Sequence, residues 1–242
     1  MIETISYSSI LETVRAEQNR FTGKVVMMDS VDPVTASLMA EINSKVVRHS
    51  LIAVFFCNPN TPFARDEIIP FLNYFHKRSK QYINIFCCGF GAVSSNSDYP
   101  DMQKVGSVNG MEWYYSDEAF VNVVDAFEER TKWKYSGENE LLLLDIIKSN
   151  KPEDLTIKHA IVCNLEQMYK DKAFTSVRSL VEKLIYYAKS DEAANAWKFS
   201  DKQGLQVTMN VLKDMVLNLL PSDIRNLYQQ SESYAVKQIG AL

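Results

Sequence analysis

Apolar residues in the first half of the chain alternate between short continuous runs and helical stripes. The run Leu51–Phe56 is followed by a turn-rich stretch, an amphipathic segment and a second run, Ile83–Cys88. Uninterrupted runs of this length are typical of strands buried on both faces, and a strand–helix–strand order is the unit from which parallel sheets are built. The pattern therefore predicts two neighbouring parallel strands with a helix between them.

Fainter segments extend this pattern on both sides. A short apolar run at 24–28 precedes a segment, 34–46, in which every fourth residue is apolar. Residues 111–115 form a short aromatic run. We expect strands near residues 25, 51, 83 and 111 to lie side by side and parallel, with a lead-in helix over 1–22. The residues between 89 and 110 are predicted to form a loop.

The helix that follows the central run carries a clear start signal. Thr61 followed by Pro62 is typical of an N-cap with proline at the first helical position. Pro70 should kink this segment, or split it into a short turn and a helix that begins near Ile69. A later helix is expected to be capped by Ser116 or Asp117.

The four consecutive leucines at 141–144 are ambiguous. Residues 140–147 fit the last strand of the sheet, and a helix over 139–148 fits almost as well, because periodicity cannot separate short apolar runs. Beyond residue 150 only helical periods are found, the first through Ile157, Ile161, Leu165 and Met168. The sequence thus predicts a Rossmann-like α/β domain over 1–150, a parallel sheet flanked by helices, followed by a helical bundle domain over 151–242.

Composition narrows the class of protein. The chain has 242 residues, of which 46% are hydrophobic, and a formal net charge of −4. These values are typical of a soluble globular protein, and the negative charge makes nucleic-acid binding an unfavoured function. No basic, apolar leader opens the chain and no run reaches about 18 apolar residues, so we expect a cytoplasmic protein without a membrane span.

The four cysteines, at 57, 87, 88 and 163, have no framework spacing. Zinc sites need paired Cys or His groups, so no metal site is predicted. The strand–helix pattern would suit a thioredoxin-like fold, but Cys57 has no second cysteine three residues later and a redox centre of that type is not expected. The G-x-S-x-G elbow and the phosphate-binding P-loop are also absent.

In open α/β sheets, ligands bind beyond the carboxyl ends of the strands. The segment after Phe56 contains several polar residues that suit this position, and the candidate ligand-binding residues are Asn58, Asn60, Thr61 and Arg65. Glu67, in the following helix, is the candidate catalytic carboxylate. The alternative is a capped helix whose acidic residues only complement its dipole.

Two other strand ends supply candidates. Gly89 and Gly91 follow the second strand and begin like a dinucleotide-binding G-x-G-x-x-G, although Ser94 replaces the third glycine. They are candidate ligand-binding residues, and the alternative is a glycine turn by which the chain leaves the sheet. Asp29 follows the first predicted strand and is the second candidate catalytic carboxylate; the alternative there is an Asx-type turn ahead of Pro33.

The segment Asn58–Glu67 resembles, in outline, the strand-end loop and helix of nucleoside deoxyribosyltransferases and TIR domains. Those families place a glutamate on the helix after such a loop and cleave N-glycosidic bonds, which would give Glu67 that role. The chain departs from them because no Gly-Thr pair precedes Glu67 and no Trp-Cys-x-x-Glu arrangement is present.

Two functions are therefore expected. The first is a regulatory or binding protein, in which the α/β domain could bind a nucleotide and the helical domain docks a protein partner or a second copy. The second is a nucleotide- or NAD-processing enzyme of the N-glycosidase type, with a role in bacterial defence as a further implication. The sequence does not specify a cofactor.

Overall fold

The structure, a computed structural model, describes residues 4–23, 49–78, 83–92, 99–147, 155–189, 214, 216–230 and 236–239. Its strands are β1 (His49–Phe56), β2 (Asn84–Cys87), β3 (Phe90–Gly91), β4 (Gln103–Val108), β5 (Met111–Tyr115), β6 (Glu140–Ile147), β7 (Thr156–Asn164) and β8 (Val236–Ile239). Its helices are α1 (Tyr7–Gly23), α2 (Pro62–Glu67), α3 (Leu72–Arg78), α4 (Asp117–Arg130), α5 (Leu165–Lys170), α6 (Val177–Lys189) and α7 (Ser222–Gln230).

The main sheet has the strand order β2-β1-β6-β7-β8. β1 and β2 are parallel, as the strand–helix–strand pattern predicts, with Val54 opposite Phe86. Each of the other neighbouring pairs is antiparallel. The fold is therefore mixed α/β, and the expectation of a parallel sheet is wrong beyond its first two strands.

The aromatic strand at 111–115 does not join this sheet. It forms β5 of a second, three-stranded sheet in the order β3-β5-β4, where it pairs antiparallel with both neighbours. Asn109 and Gly110, with φ angles of 53° and 78°, form the turn between β4 and β5. Asn-Gly is a strong hairpin signal, because both residues tolerate the positive φ that a tight turn needs. The predicted loop over 89–110 thus contains two strands.

The expected helix through Ile157 and Ile161 is wrong as well, because these residues belong to β7. A four-residue spacing is a multiple of two, so it is compatible with one face of a regular strand as well as with one face of a helix. In β7 a bulge interrupts this regularity, since Ile161 pairs with Leu143 whereas Ile157 pairs with Ile146. β6 confirms the strand alternative for the four leucines, and it pairs with β7 along its whole length. A wholly helical domain beyond residue 150 is not confirmed, since β7 and β8 both extend the main sheet; the boundary itself stays a prediction.

Several helix predictions are confirmed. The Thr61 side chain caps α2 by accepting from Ala64 N, and Pro70 lies in a 3-10 turn, Ile69–Phe71, that separates α2 from α3. Ser116 caps α4 in the same way. The predicted strand at 24–28 and helix at 34–46 lie outside the described residues. Within the described residues, no helix combines the length and apolar character that crossing a bilayer requires.

Helices cover both faces of the main sheet. On one face the ring of Phe55 stacks on Phe75 of α3, with centroids 5.5 Å apart. On the other face Phe56 packs edge-on against Phe127 of α4 at 5.8 Å and, with tilted rings, against Trp133 at 4.6 Å. Both faces of β1 are therefore buried, which explains its unbroken apolar sequence.

Candidate functional site

The carboxyl ends of β1 and β7 lie at the same edge of the main sheet, beside the start of β6. In the strand register Phe56 pairs with Glu140, and Glu140 pairs with Asn164. The residues that leave β1, enter β6 and leave β7 are therefore neighbours, although they are far apart in sequence. We call the polar residues at this edge the sheet-end cluster: Thr61, Glu138, Asn139, Asn164 and Glu166.

Asn139 lies at the centre of the sheet-end cluster and is fully buried. Its Nδ2 donates to Thr61 Oγ1 at 2.9 Å and to Glu166 Oε1 at 2.6 Å. Its backbone carbonyl accepts from Leu165 N at 2.9 Å. One side chain thus joins the N-terminus of α2, the start of β6 and the first turn of α5.

The neighbours of Asn139 determine which way its amide points. The hydroxyl of Thr61 donates to the carbonyl oxygen of Asn58 at 2.9 Å, so it has no second proton to give and must accept from Asn139. The carboxylate of Glu166 is an acceptor as well. The amide nitrogen of Asn139 therefore faces both groups, and the carbonyl Oδ1 points away from them.

Oδ1 of Asn139 is buried and has no hydrogen-bond partner in the part of the chain that the structure describes. Most buried polar atoms in folded proteins are paired, and an unpaired acceptor costs about 1–3 kcal/mol. A group that brings an N–H or O–H to this oxygen would recover that energy. The sheet-end cluster is therefore incomplete as an isolated hydrogen-bond network.

Asn164 sets the direction of α5. Its Oδ1 caps the helix by accepting from Gln167 N at 2.9 Å, and its Nδ2 donates to Glu138. This cap places Glu166 in the first turn of α5, where its carboxylate faces Asn139. Glu166 is only partly buried and makes no ion pair among the described residues.

A buried carboxylate holds the loop that leads to Asn139. Glu140, 5% exposed, accepts from Trp133 Nε1 at 2.9 Å and from Ser136 Oγ at 2.7 Å. Tyr135 lies between these residues, and burial raises the pKa of its hydroxyl. These two hydrogen bonds to the Glu140 carboxylate hold the loop 131–139 against the core. Asn139, the last residue of that loop, is therefore well anchored.

Aromatic side chains border the sheet-end cluster on the solvent side. Phe63 of α2 and Tyr169 of α5 meet edge to face with centroids 5.7 Å apart. Tyr169 also contacts Phe174 at 5.9 Å and remains 42% exposed. The two short helices α2 and α5 are therefore in contact through these rings, beside the polar residues of the sheet-end cluster.

The predicted ligand-binding residues after β1 have different positions. Thr61 belongs to the sheet-end cluster. Asn58 is exposed and closes the turn, since its Oδ1 accepts from Asn60 N at 2.9 Å. Asn60 and Arg65 are exposed. The structure thus brings one of the four into direct contact with the buried polar network.

The two predicted catalytic carboxylates are not brought together. Asp29 lies outside the described residues. Glu67 Oε2 accepts from the backbone N–H of Val177 at 3.0 Å, at the first residue of α6. The role of Glu67 in catalysis stays a prediction, and its contact is that of a structural helix cap.

Gly89 and Gly91 are enclosed by the chain itself. Gly89 has a φ of 79°, and a Cβ there would lie 2.8 Å from the carbonyl oxygen of Ser116. A Cβ on Gly91 would lie 2.8 Å from the backbone of Thr4. Both glycines thus permit close contact between backbone segments, because a side chain at either position would collide with these neighbouring atoms.

The four thiols are buried and free. Burial raises the pKa of Cys87 and of Cys163 to about 12, and it raises the pKa values of Cys57 and Cys88 well above the ordinary value. Buried thiols of this kind are inert. Within the described residues, no group of three or more His, Cys, Asp or Glu side chains is arranged to hold a metal ion.

Sequence reasoning missed Asn139, Asn164 and Glu166. Asn164 and Glu166 directly follow β7, and the strand-end rule would have selected them if 156–164 had been recognised as a strand. The signal was the β-branched composition of this segment, which favours a strand where periodicity is ambiguous.

The chain was compared with known protein families, with curated proteins and with solved structures, and none of them matches it.

Proposed function

We propose that the chain is a binding protein whose ligand site is the sheet-end cluster. The observation that carries this proposal is the buried Oδ1 of Asn139, which has no hydrogen-bond donor in the described part of the chain. A binding function needs an oriented, incomplete set of polar groups, and the fixed amide of Asn139 provides one. The same site could serve a regulatory protein, in which ligand binding is the signal.

The arrangement of strands supports a thioredoxin-like rather than a Rossmann-like architecture for this binding protein. A parallel pair followed by two antiparallel strands, in the order β2-β1-β6-β7, is compatible with it. In such proteins the redox Cys-x-x-Cys lies at the start of the helix after the central strand. Here that position is Thr61-Pro62-Phe63-Ala64, so the proposal does not include dithiol chemistry.

A nucleotide is a second candidate ligand, with Arg65, four residues after Thr61, as a candidate cation for its phosphate. The geometry of the sheet-end cluster supports a nucleotide ligand less well, for two reasons. Thr61 already accepts from Ala64 N, which would otherwise face a phosphate, and Glu138 and Glu166 are both carboxylates. The N-glycosidase alternative needs a Glu67 carboxylate that is available to substrate, whereas its Oε2 is bonded to Val177 N.

Location and partners are part of the proposal as well. Four free, buried cysteines are typical of a reducing compartment, which supports a cytoplasmic protein. A protein partner or a second copy of the chain is the further expectation. Tyr169 and Tyr186, 42% and 76% exposed, are the kind of side chain that such contacts use.

A thermal-shift panel tests the binding proposal. NAD, ATP, ADP-ribose and a nucleoside are added to the full chain and to Asn139→Ala, with Asn122→Ala, an exposed position on α4, as the control. A ligand present at a hundred times its dissociation constant adds about 2.7 kcal/mol, or about 5–10 °C for a chain of this size. The shift should be present in the control and lost in Asn139→Ala. A shift that persists in Asn139→Ala would place the site elsewhere.

A further inference from the structure

We draw no further inference here: the strongest candidate, the side-chain pair of Asp145 and His159 on the adjacent strands β6 and β7, carries none, because no third metal-ligating side chain joins it in the part of the chain that the structure describes and nothing there shows what covers the imidazole.

Discussion

The carboxylate of Glu67 accepts a hydrogen bond from the backbone N–H of Val177, at 3.0 Å and across 110 residues of sequence. Val177 is the first residue of α6, and the first N–H groups of a helix have no partner within it. Glu67 thus caps a helix that is distant in sequence, and its negative charge also suits the positive end of the helix dipole. The contact attaches α6 to the end of α2.

Replacement of Glu67 should therefore reduce stability. Glu67→Ala is expected to lower the free energy of unfolding by about 1 kcal/mol, which is the usual cost of a lost helix cap. The melting temperature of a chain of this size should fall by about 2–4 °C. Thermal unfolding followed by circular dichroism at 222 nm measures this change.

The neighbouring acid provides the control for Glu67. Asp66 is exposed, and exposed substitutions away from specific contacts usually change stability by less than about 0.5 kcal/mol. Asp66→Ala should therefore leave the melting temperature almost unchanged. Equal losses in the two variants would mean that the bond to Val177 N does not stabilise α6.

A salt bridge forms a second attachment of α6. Arg78 Nε donates to Glu182 Oε1 at 2.8 Å, and its second nitrogen donates to Oε2 at 3.1 Å. The geometry is bidentate, and both side chains are 40% exposed. A double-mutant cycle with Arg78→Ala and Glu182→Ala should give a coupling energy of about 0.5–1 kcal/mol, because solvent screens a pair at this exposure.

The pair of Lys104 with Glu112 is a suitable comparison for that cycle. Both of its side chains are 51% exposed, and it joins adjacent strands of one hairpin, so it does not attach one element to a distant one. Urea titration of both sets of variants compares the two couplings. A coupling for the Arg78 pair that cannot be distinguished from zero would show that α6 is attached by other contacts.

The sequence predicted β1 and β2, whose apolar runs lie between turn-rich stretches, and it left open or missed segments that fit both a helix and a strand. The turn residues on either side of β1 and β2 favour buried strands there. The spacing of Ile157 and Ile161 fits a helix and a strand equally well, and the β-branched composition of the segment favours the strand. Pairing with β6, a tertiary contact that a single sequence does not show, establishes it.

The sheet-end cluster could be predicted only in part, for a related reason. Thr61 follows a recognisable strand and begins a recognisable helix, so both the cap and the sheet edge were predictable. Asn139 is 78 residues from Thr61 and 27 residues from Glu166, and its role comes from the antiparallel entry of β6 beside β1. A residue whose partners come from three elements has no local signature.

The cysteines should be unreactive in the folded protein. Burial raises the pKa of Cys87 and Cys163 to about 12, so at pH 8 the thiolate fraction of each is about one in ten thousand. Native protein treated with DTNB should release almost no thionitrobenzoate, and four equivalents should appear after unfolding in guanidinium chloride. Rapid native labelling of one thiol would instead identify an accessible, reactive cysteine and reopen thiol chemistry.

Stability should also depend on pH through Glu128, which holds the loop that presents Asn139. Its carboxylate accepts from Tyr135 N at 2.8 Å and from Lys134 Nζ at 3.0 Å, and these bonds lower its pKa below the usual value of 4.5. A lowered pKa means that the stabilisation is complete above about pH 4.5. It is lost as the pH falls through the lower, folded-state pKa.

Glu128→Gln isolates this contribution. The variant should be less stable than the wild type by about 1 kcal/mol at pH 7, a value reduced for the partial exposure of the carboxylate, and the difference should shrink towards pH 3. Urea unfolding followed by tryptophan fluorescence, to which Trp133 in the same loop contributes, measures it at each pH. Asp125→Asn, on the exposed face of α4, should show no such difference. A difference in the free energy of unfolding between wild type and Glu128→Gln that stays constant from pH 7 to pH 3 would contradict this prediction. It would mean that protonation of Glu128 does not weaken its contacts with Tyr135 and Lys134.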